Sequence, residues 1–157
     1  MKVGIGIIGT GGIANAHAEA VLKLEEAELV AACDVVPAKA QAFAERYQIA
    51  NVYTDSQAFF RDPRLQAALV CTPHRAHCPL AMQAAEAGIH VMVEKPLADT
   101  TARGEDMVAR AAELGLVLMA DHTYCYTPAV LKIREIIVDG GLGDILFVDS
   151  TRINLGL

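Results

Sequence analysis

The sequence predicts an α/β fold, a parallel sheet doubly wound with helices on both faces, and three observations carry that prediction. Short apolar runs alternate with longer alanine-rich amphipathic stretches from the N-terminus to Asp121, the strand–helix–strand order from which parallel sheets are made. The runs AALVC, HVMV and LVLM are apolar at consecutive positions, as strands buried on both faces require. Turn and helix-stop signals, DPRL at Asp62 and EAGIH at Gly88, fall between the runs.

Taken in order, KVGIGIIG is the first strand, and a helix follows from about Ile13 to Leu24. AELVAACD is the second strand, followed by a helix from about Pro37 to Tyr47. LQAALVCT leads into a helix from His77 to Ala87, IHVMVEK into a helix from about Thr101 to Leu114, and GLVLMAD closes the series. The pattern then changes. TPAVLKIREIIVDGGLGD predicts a helix with Pro128 in its first turn, ended by Gly140 and Gly141. ILFVDSTRINL predicts a strand. The organisation expected is therefore one domain over 1–122, and over 123–157 only the first helix and strand of a second α/β domain.

A chain of 157 residues, 54% of them hydrophobic, can bury a sizeable core, yet no apolar run reaches the eighteen or more residues that span a bilayer. Lys2 ahead of an apolar stretch and the small residues of ANAHA imitate a secretion signal. Gly4, Gly6, Gly9, Gly11 and Gly12 dilute that stretch, each weakening a helix by about 1 kcal/mol relative to Ala, so no signal is expected. Thirteen basic and nineteen acidic residues give a net charge of −6 without a basic cluster, which disfavours nucleic acid as a partner; no membrane partner is expected either. Cys33, Cys71, Cys78 and Cys125 form no disulfide-type framework, so reduced thiols and a cytoplasmic location are expected.

The turn after the first strand, Gly9-Thr10-Gly11-Gly12-Ile13-Ala14, fits G-x-G-x-x-A. Placed between a strand and a helix, Gly9 permits the tight turn, Gly11 lets the backbone approach a pyrophosphate, and Ala14 allows helix to pack closely on strand. The helix N-terminus offers unpaired N–H groups to the anion. Asp34 ends the second strand twenty residues after Ala14, the distance at which a carboxylate accepts hydrogen bonds from the adenosine ribose. This is the fingerprint of a Rossmann-type dinucleotide-binding domain. A carboxylate repels a 2′-phosphate, and Val35 and Val36 follow Asp34 where an Arg would help, so NAD is expected rather than NADP.

CTPHRAHC brings Cys71, His74, His77 and Cys78 within eight residues. Structural zinc usually draws two ligand pairs from separated segments, and this is a single knot, so no metal is expected. It lies beyond a strand's carboxyl end, where open α/β sheets bind ligands, which makes Thr72, Pro73 and His74 candidate cofactor contacts. His77 reads either as a further contact or as a buried structural histidine. VEKPL again follows a strand. There Glu94 and Pro96 flank Lys95, whose ammonium is aimed into the crevice, able to hydrogen-bond a substrate hydroxyl and the nicotinamide ribose and to assist proton transfer.

The glycine turn, VCTPHRAHCPLAMQAAEAGIHVMVEKPLA and DHTYCYTPAVLKIREIIVDGGLGDILFVDS together resemble the glucose-fructose oxidoreductase and inositol dehydrogenase family, Gfo/Idh/MocA. The resemblance implies an NAD(P)-dependent oxidoreductase of sugars, cyclitols or nucleotide-sugars, with Lys95 as the E-K-P lysine and a cis Lys95–Pro96 bond. It implies a cofactor set of Gly9, Thr10, Gly11, Gly12, Ile13, Ala14, Asp34, Thr72, Pro73, His74, His77, Glu94, Lys95 and His122. Members are about twice this long, and their second domain supplies a substrate-walling sheet and an Asp or His acid/base. The expectation is thus a cofactor-binding half that is inactive alone and that associates with itself through residues 145–155. The alternative is a non-catalytic NAD-binding or dimerisation module.

Overall fold

The structure, a computed structural model, describes residues 2–151 and 153. They fall into two compact units, Met1–Asp121 and His122–Leu157. In the first unit the strands are β1 (Val3–Ile8), β2 (Ala27–Cys33), β3 (Asn51–Tyr53), β4 (Ala67–Val70), β5 (His90–Val93) and β6 (Leu118–Ala120). The helices between them are α1 (Gly12–Val21), α2 (Pro37–Tyr47), α3 (Ser56–Phe60), α4 (His77–Glu86) and α5 (Thr101–Glu113).

All six strands run parallel in the order β3-β2-β1-β4-β5-β6, the Rossmann arrangement. The chain starts in the middle of the sheet, works outward through β2 and β3, then crosses back to β4. The order therefore reverses between β1 and β4, and the two helix-leading turns beyond their carboxyl ends diverge to leave a crevice.

Successive residues of the buried strands feed opposite faces. Ile7, Ala32 and Leu69 pack with Ala14, Ala18, Val21, Phe43 and Ala44 of α1 and α2. Ile8, Ala31 and Val70 pack with Phe59, Phe60, Leu80, Ala84 and Met107 of α3, α4 and α5. Period-2 side-chain direction thus divides a continuous apolar run between two cores. Ala14 and Ala18 are wholly buried, so α1 lies on the sheet through methyl groups. Gly6 has the same logic: a Cβ there would stand 2.6 Å from Leu65 Cδ1 and 2.7 Å from Phe59 Cζ.

Helix ends follow local chemistry. Pro37 opens α2, the Asp55 carboxylate accepts from the Ala58 N–H at the start of α3, and Thr100 Oγ1 accepts from the Arg103 N–H at the start of α5. The helix expected to run to Leu24 stops at Val21, because the Lys23 and Leu24 N–H groups donate to Ala20 and Val21, tightening the last turn. β3 and α3 were not legible in the sequence. Among the described residues no helix is long and apolar enough to cross a membrane.

In the second unit, a 3₁₀ turn (Thr123–Tyr126) precedes α6 (Pro128–Val138), with Pro128 in its first turn and Gly140 beyond it at φ +73°. The expected strand over 145–155 does not form among the described residues: 145–151 make no ladder, and Leu146, Phe147 and Val148 are exposed. A strand exists only by pairing, and no described strand lies in this unit. Residues 152, 154 and 155 of that expectation lie outside the described residues.

Gly6→Ala should destabilise the chain by about 1–3 kcal/mol, because the wholly buried Phe59 ring has nowhere to retreat. Urea unfolding checks this; an unchanged midpoint and slope would contradict the packing described.

Candidate functional site

β1 delivers the chain to Gly9 at φ +87°. Its N–H donates to the Cys33 carbonyl, and the Cys71 N–H donates to the Ile8 carbonyl, each at 2.8 Å. A Cβ on residue 9 would sit 2.8 Å from the Cys71 carbonyl and from Thr72 Cγ2, so glycine alone fits. Gly11 and Gly12 differ: a Cβ on either would meet nothing within 4 Å. No packing among the described residues demands glycine there, and the start of α1 has no side-chain cap among them, leaving its first N–H groups open to a ligand.

Thr10 is buried, and its N–H and hydroxyl both donate to Asp34 Oδ2 at 2.9 Å. The Val36 N–H donates to Asp34 Oδ1, also at 2.9 Å. Burial opposes ionisation of Asp34, but these donors and the Lys39 charge outweigh it and hold the carboxyl below the usual range. A carboxylate offers about four lone-pair sites, so Oδ1 retains room for one more donor.

Three clefts meet around this turn. One of about 490 Å³ is lined by Gly9, Asp34, Ser56, Thr72, Pro73 and neighbours. A second, about 360 Å³, lies over Thr10, Gly11 and Gly12 and includes Lys39 and Arg46. The third, about 250 Å³, is lined by Ile13, Cys71, Thr72, His74, Glu94 and Lys95. Thr72 borders the first and third, and its buried hydroxyl has no hydrogen-bond partner among the described residues, an orphan of the kind a ligand satisfies. A groove of about 740 Å³ along α5 contains none of these side chains.

A family model described as an oxidoreductase family with an NAD-binding Rossmann fold, GFO_IDH_MocA, matches residues 3–122. The chain belongs to the Gfo/Idh/MocA family. D-glucoside 3-dehydrogenase of Escherichia coli is 38% identical over 149 residues, covering 94% of this chain and 42% of that protein. Inositol 2-dehydrogenase of Rubrobacter xylanophilus is 31% identical over 144 residues, 90% of this chain and 41% of that protein. Among solved structures, an NAD binding oxidoreductase from Klebsiella pneumoniae superposes with a TM-score of 0.86 at 30% identity, over 91% of this chain and 40% of that one. The chain thus spans about two fifths of the length of the relatives it matches.

Within this Gfo/Idh/MocA domain the donor set suits a dinucleotide: an uncapped helix start over two open glycines, a carboxylate beside the turn, and an orphan hydroxyl at the switch point. Pro73 and His74 are exposed at its rim, and Ala14 is wholly buried beneath it. His122 belongs to the second unit, where it is exposed. His77 faces inward. It is wholly buried and both ring nitrogens lie 2.8 Å from backbone carbonyls, so it offers nothing to a cofactor directly; its place as the first residue of α4 turns it under the loop instead of over it.

At the end of β5, Glu94 is buried and Lys95 exposed, with the Lys95–Pro96 bond cis. The Lys95 N–H donates to Glu94 Oε2 at 3.2 Å, while the Lys95 ammonium has no partner among the described residues. Glu94 Oε1 lies 3.0 Å from His17 Nε2, which is 3.5 Å from Asp121 Oδ2. Burial works against the Glu94 carboxylate, but hydrogen bonds with His17 and Asp121, the His17 charge and the Lys95 N–H more than compensate, lowering its pKa. The ligand atoms of His17, Glu94 and Asp121 lie within 4.8 Å of one another, a spacing a metal ion accepts, and both carboxylates converge on the same ring nitrogen, Nε2. The CTPHRAHC knot does not converge in this way among the described residues.

Sequence reasoning missed His17, Asp121 and Lys39. The available signal was positional: Asp34, Glu94 and Asp121 are each the first residue beyond a strand, where side chains meet the crevice.

Two outcomes follow from these environments. Burial, then the Asp34 and Asp55 charges, pushes the Cys33 thiol up to about 12, and burial with Glu94 and Asp121 does the same for Cys71. A thiol reagent at neutral pH should label exposed Cys125 first and spare Cys33 and Cys71 until unfolding; rapid native labelling of all four thiols would contradict this. For Asp34, folding lowers the pKa below its ordinary 3.8. Its contribution to stability is complete above that value and disappears as pH falls through the folded value. Asp34→Asn should therefore lose less stability than the parent between about pH 5 and about pH 2, read by urea unfolding; equal losses would contradict the assignment.

Proposed function

We propose that the chain is the cofactor-binding part of an NAD-dependent dehydrogenase that oxidises a CH–OH group of a sugar, cyclitol or nucleotide-sugar. The observation that carries this reading is the orphan Thr72 hydroxyl at the junction of two clefts, one lined by Gly9 and Asp34 and the other by Ile13 of α1 and Lys95, whose ammonium is unpaired among the described residues. That the matched relatives include a glucoside dehydrogenase and an inositol dehydrogenase supports a cyclic polyol as the substrate.

Bound across the switch point, the nicotinamide dinucleotide supplies the hydride acceptor. Gly11 and Gly12 admit the pyrophosphate to the backbone, and the first N–H groups of α1 take its charge. Asp34 Oδ1 accepts from a ribose hydroxyl, its partner oxygen being occupied by Thr10. Ile13, Thr72, Pro73 and His74 would border the nicotinamide end, and the Lys95 ammonium would donate a hydrogen bond to the substrate hydroxyl oxygen and stabilise the negative charge that develops there. Glu94, pinned by His17, holds the backbone from which Lys95 projects.

The Asp34 charge favours NAD over NADP, and Lys39 beside it draws the other way. NADH should bind more tightly than NADPH in a fluorescence titration, and Asp34→Ala should weaken NADH by about 10- to 100-fold, the worth of a charged hydrogen bond. Tighter binding of NADPH by the parent chain would overturn the preference. This 157-residue chain by itself is expected to bind cofactor without oxidising polyols, and to pair with a second copy through residues 145–155, of which Leu146, Phe147 and Val148 are exposed. Substrate-dependent NADH formation across a sugar and cyclitol panel would refute the first statement, and a strict monomer by light scattering the second.

A further inference from the structure

His77 is the one wholly buried histidine among the described residues, and its surroundings are unusual in a specific way. Nδ1 lies 2.8 Å from the Pro96 carbonyl oxygen and Nε2 lies 2.8 Å from the Thr72 carbonyl oxygen. A carbonyl oxygen only accepts. A neutral imidazole has a single N–H, so one of the two contacts would bring a ring lone pair against a carbonyl lone pair at hydrogen-bond distance. An imidazolium has two N–H groups and satisfies both carbonyls. The His74 ring stands edge-on to it at 5.7 Å between centroids.

The two carbonyls belong to different loops. Thr72 follows β4 and Pro96 follows β5, neighbouring strands that end in register with Val70 opposite Val93. One loop carries the orphan Thr72 hydroxyl and the other carries Lys95. Lys95 itself stands between Glu94, which His17 holds, and Pro96, which His77 holds. On one side, then, His17 holds the Glu94 carboxylate that accepts from the Lys95 N–H, and on the other His77 holds the Pro96 carbonyl, while the ammonium has no partner among the described residues.

We propose that His77 carries a proton on both ring nitrogens and is a positioning residue, a two-donor brace that fixes the spacing between the Thr72 loop and the Lys95 loop. Its effect on cofactor rests on the proposed function above; its protonation does not.

The test uses the full chain labelled with ¹⁵N-histidine, in a long-range ¹H–¹⁵N correlation spectrum at about pH 7.5, where an ordinary imidazole with a pKa near 6.5 is mostly neutral. His77, assigned by loss of its signals in His77→Phe, should show two protonated-type nitrogens. One protonated and one bare nitrogen would overturn the proposal. In parallel, NADH titration of His77→Phe, which keeps a ring but has no donor, should show affinity reduced about tenfold with the thermal unfolding transition still cooperative. Parent-like affinity in that variant would overturn the positioning role. Should His77→Phe fail to fold, selective labelling with His74→Gln, His17→Gln, His90→Gln and His122→Gln assigns the spectrum by elimination, and the nitrogen shifts decide. If the parent chain binds no NADH, the cofactor reading fails while the nitrogen shifts still report on His77.

Discussion

Much of the first unit depends on the contact between residue 9 and the Cys71 carbonyl. The turn out of β1 and the turn out of β4 touch backbone to backbone, with the Cys71 N–H donating to Ile8 between them, while the Gly9 N–H donates to Cys33 at the end of β2. Any side chain at residue 9 would push these turns apart. With them would move Thr10, and with Thr10 the two hydrogen bonds that aim Asp34; on the other side would move Thr72, whose carbonyl His77 contacts. One missing methylene thus keeps four elements, β1, α1, β2 and β4, in a common frame.

The large features of that frame were legible because each leaves a strong local mark. A doubly buried strand shows as an unbroken apolar run, AALV, and the glycine turn declares its own geometry at Gly9. β3 and α3 left no such mark. Three residues of an edge strand, Asn51–Tyr53, and a five-residue helix are too short for a period to register, and they exist because Tyr53 and Asn51 hydrogen-bond to Asp62 and Phe59 plugs the core. The site was legible where backbone conformation fixes the chemistry, at Gly9 to Ala14 and at Asp34. It was illegible where chemistry depends on contacts between distant segments: His17 meets Glu94 seventy-seven residues on, and nothing near His77 in sequence reveals that its partners are two carbonyls.

The second unit shows the same limit from the other side. ILFV has every local property of a strand, β-branched and aromatic residues in sequence, and yet residues 145–151 form none. Propensity describes how well a side chain fits a pleated surface, and with no neighbouring strand among the described residues of this unit there is no such surface to fit. α6, by contrast, closes its hydrogen bonds within itself and forms with no buried residue at all.

The alanines of α1 have a consequence for how this domain tolerates change. Ala14 and Ala18 set the height of the helix above the sheet by the thickness of a methyl group. That height also sets where the helix's first N–H groups lie, since a helix moves as a rigid rod. Ala18 is therefore a shim under the ligand-facing end of α1, more than a turn away from it. A larger residue at 18 would lift that end while leaving every residue of the glycine turn chemically intact, so loss of binding at such a position would be mechanical in origin.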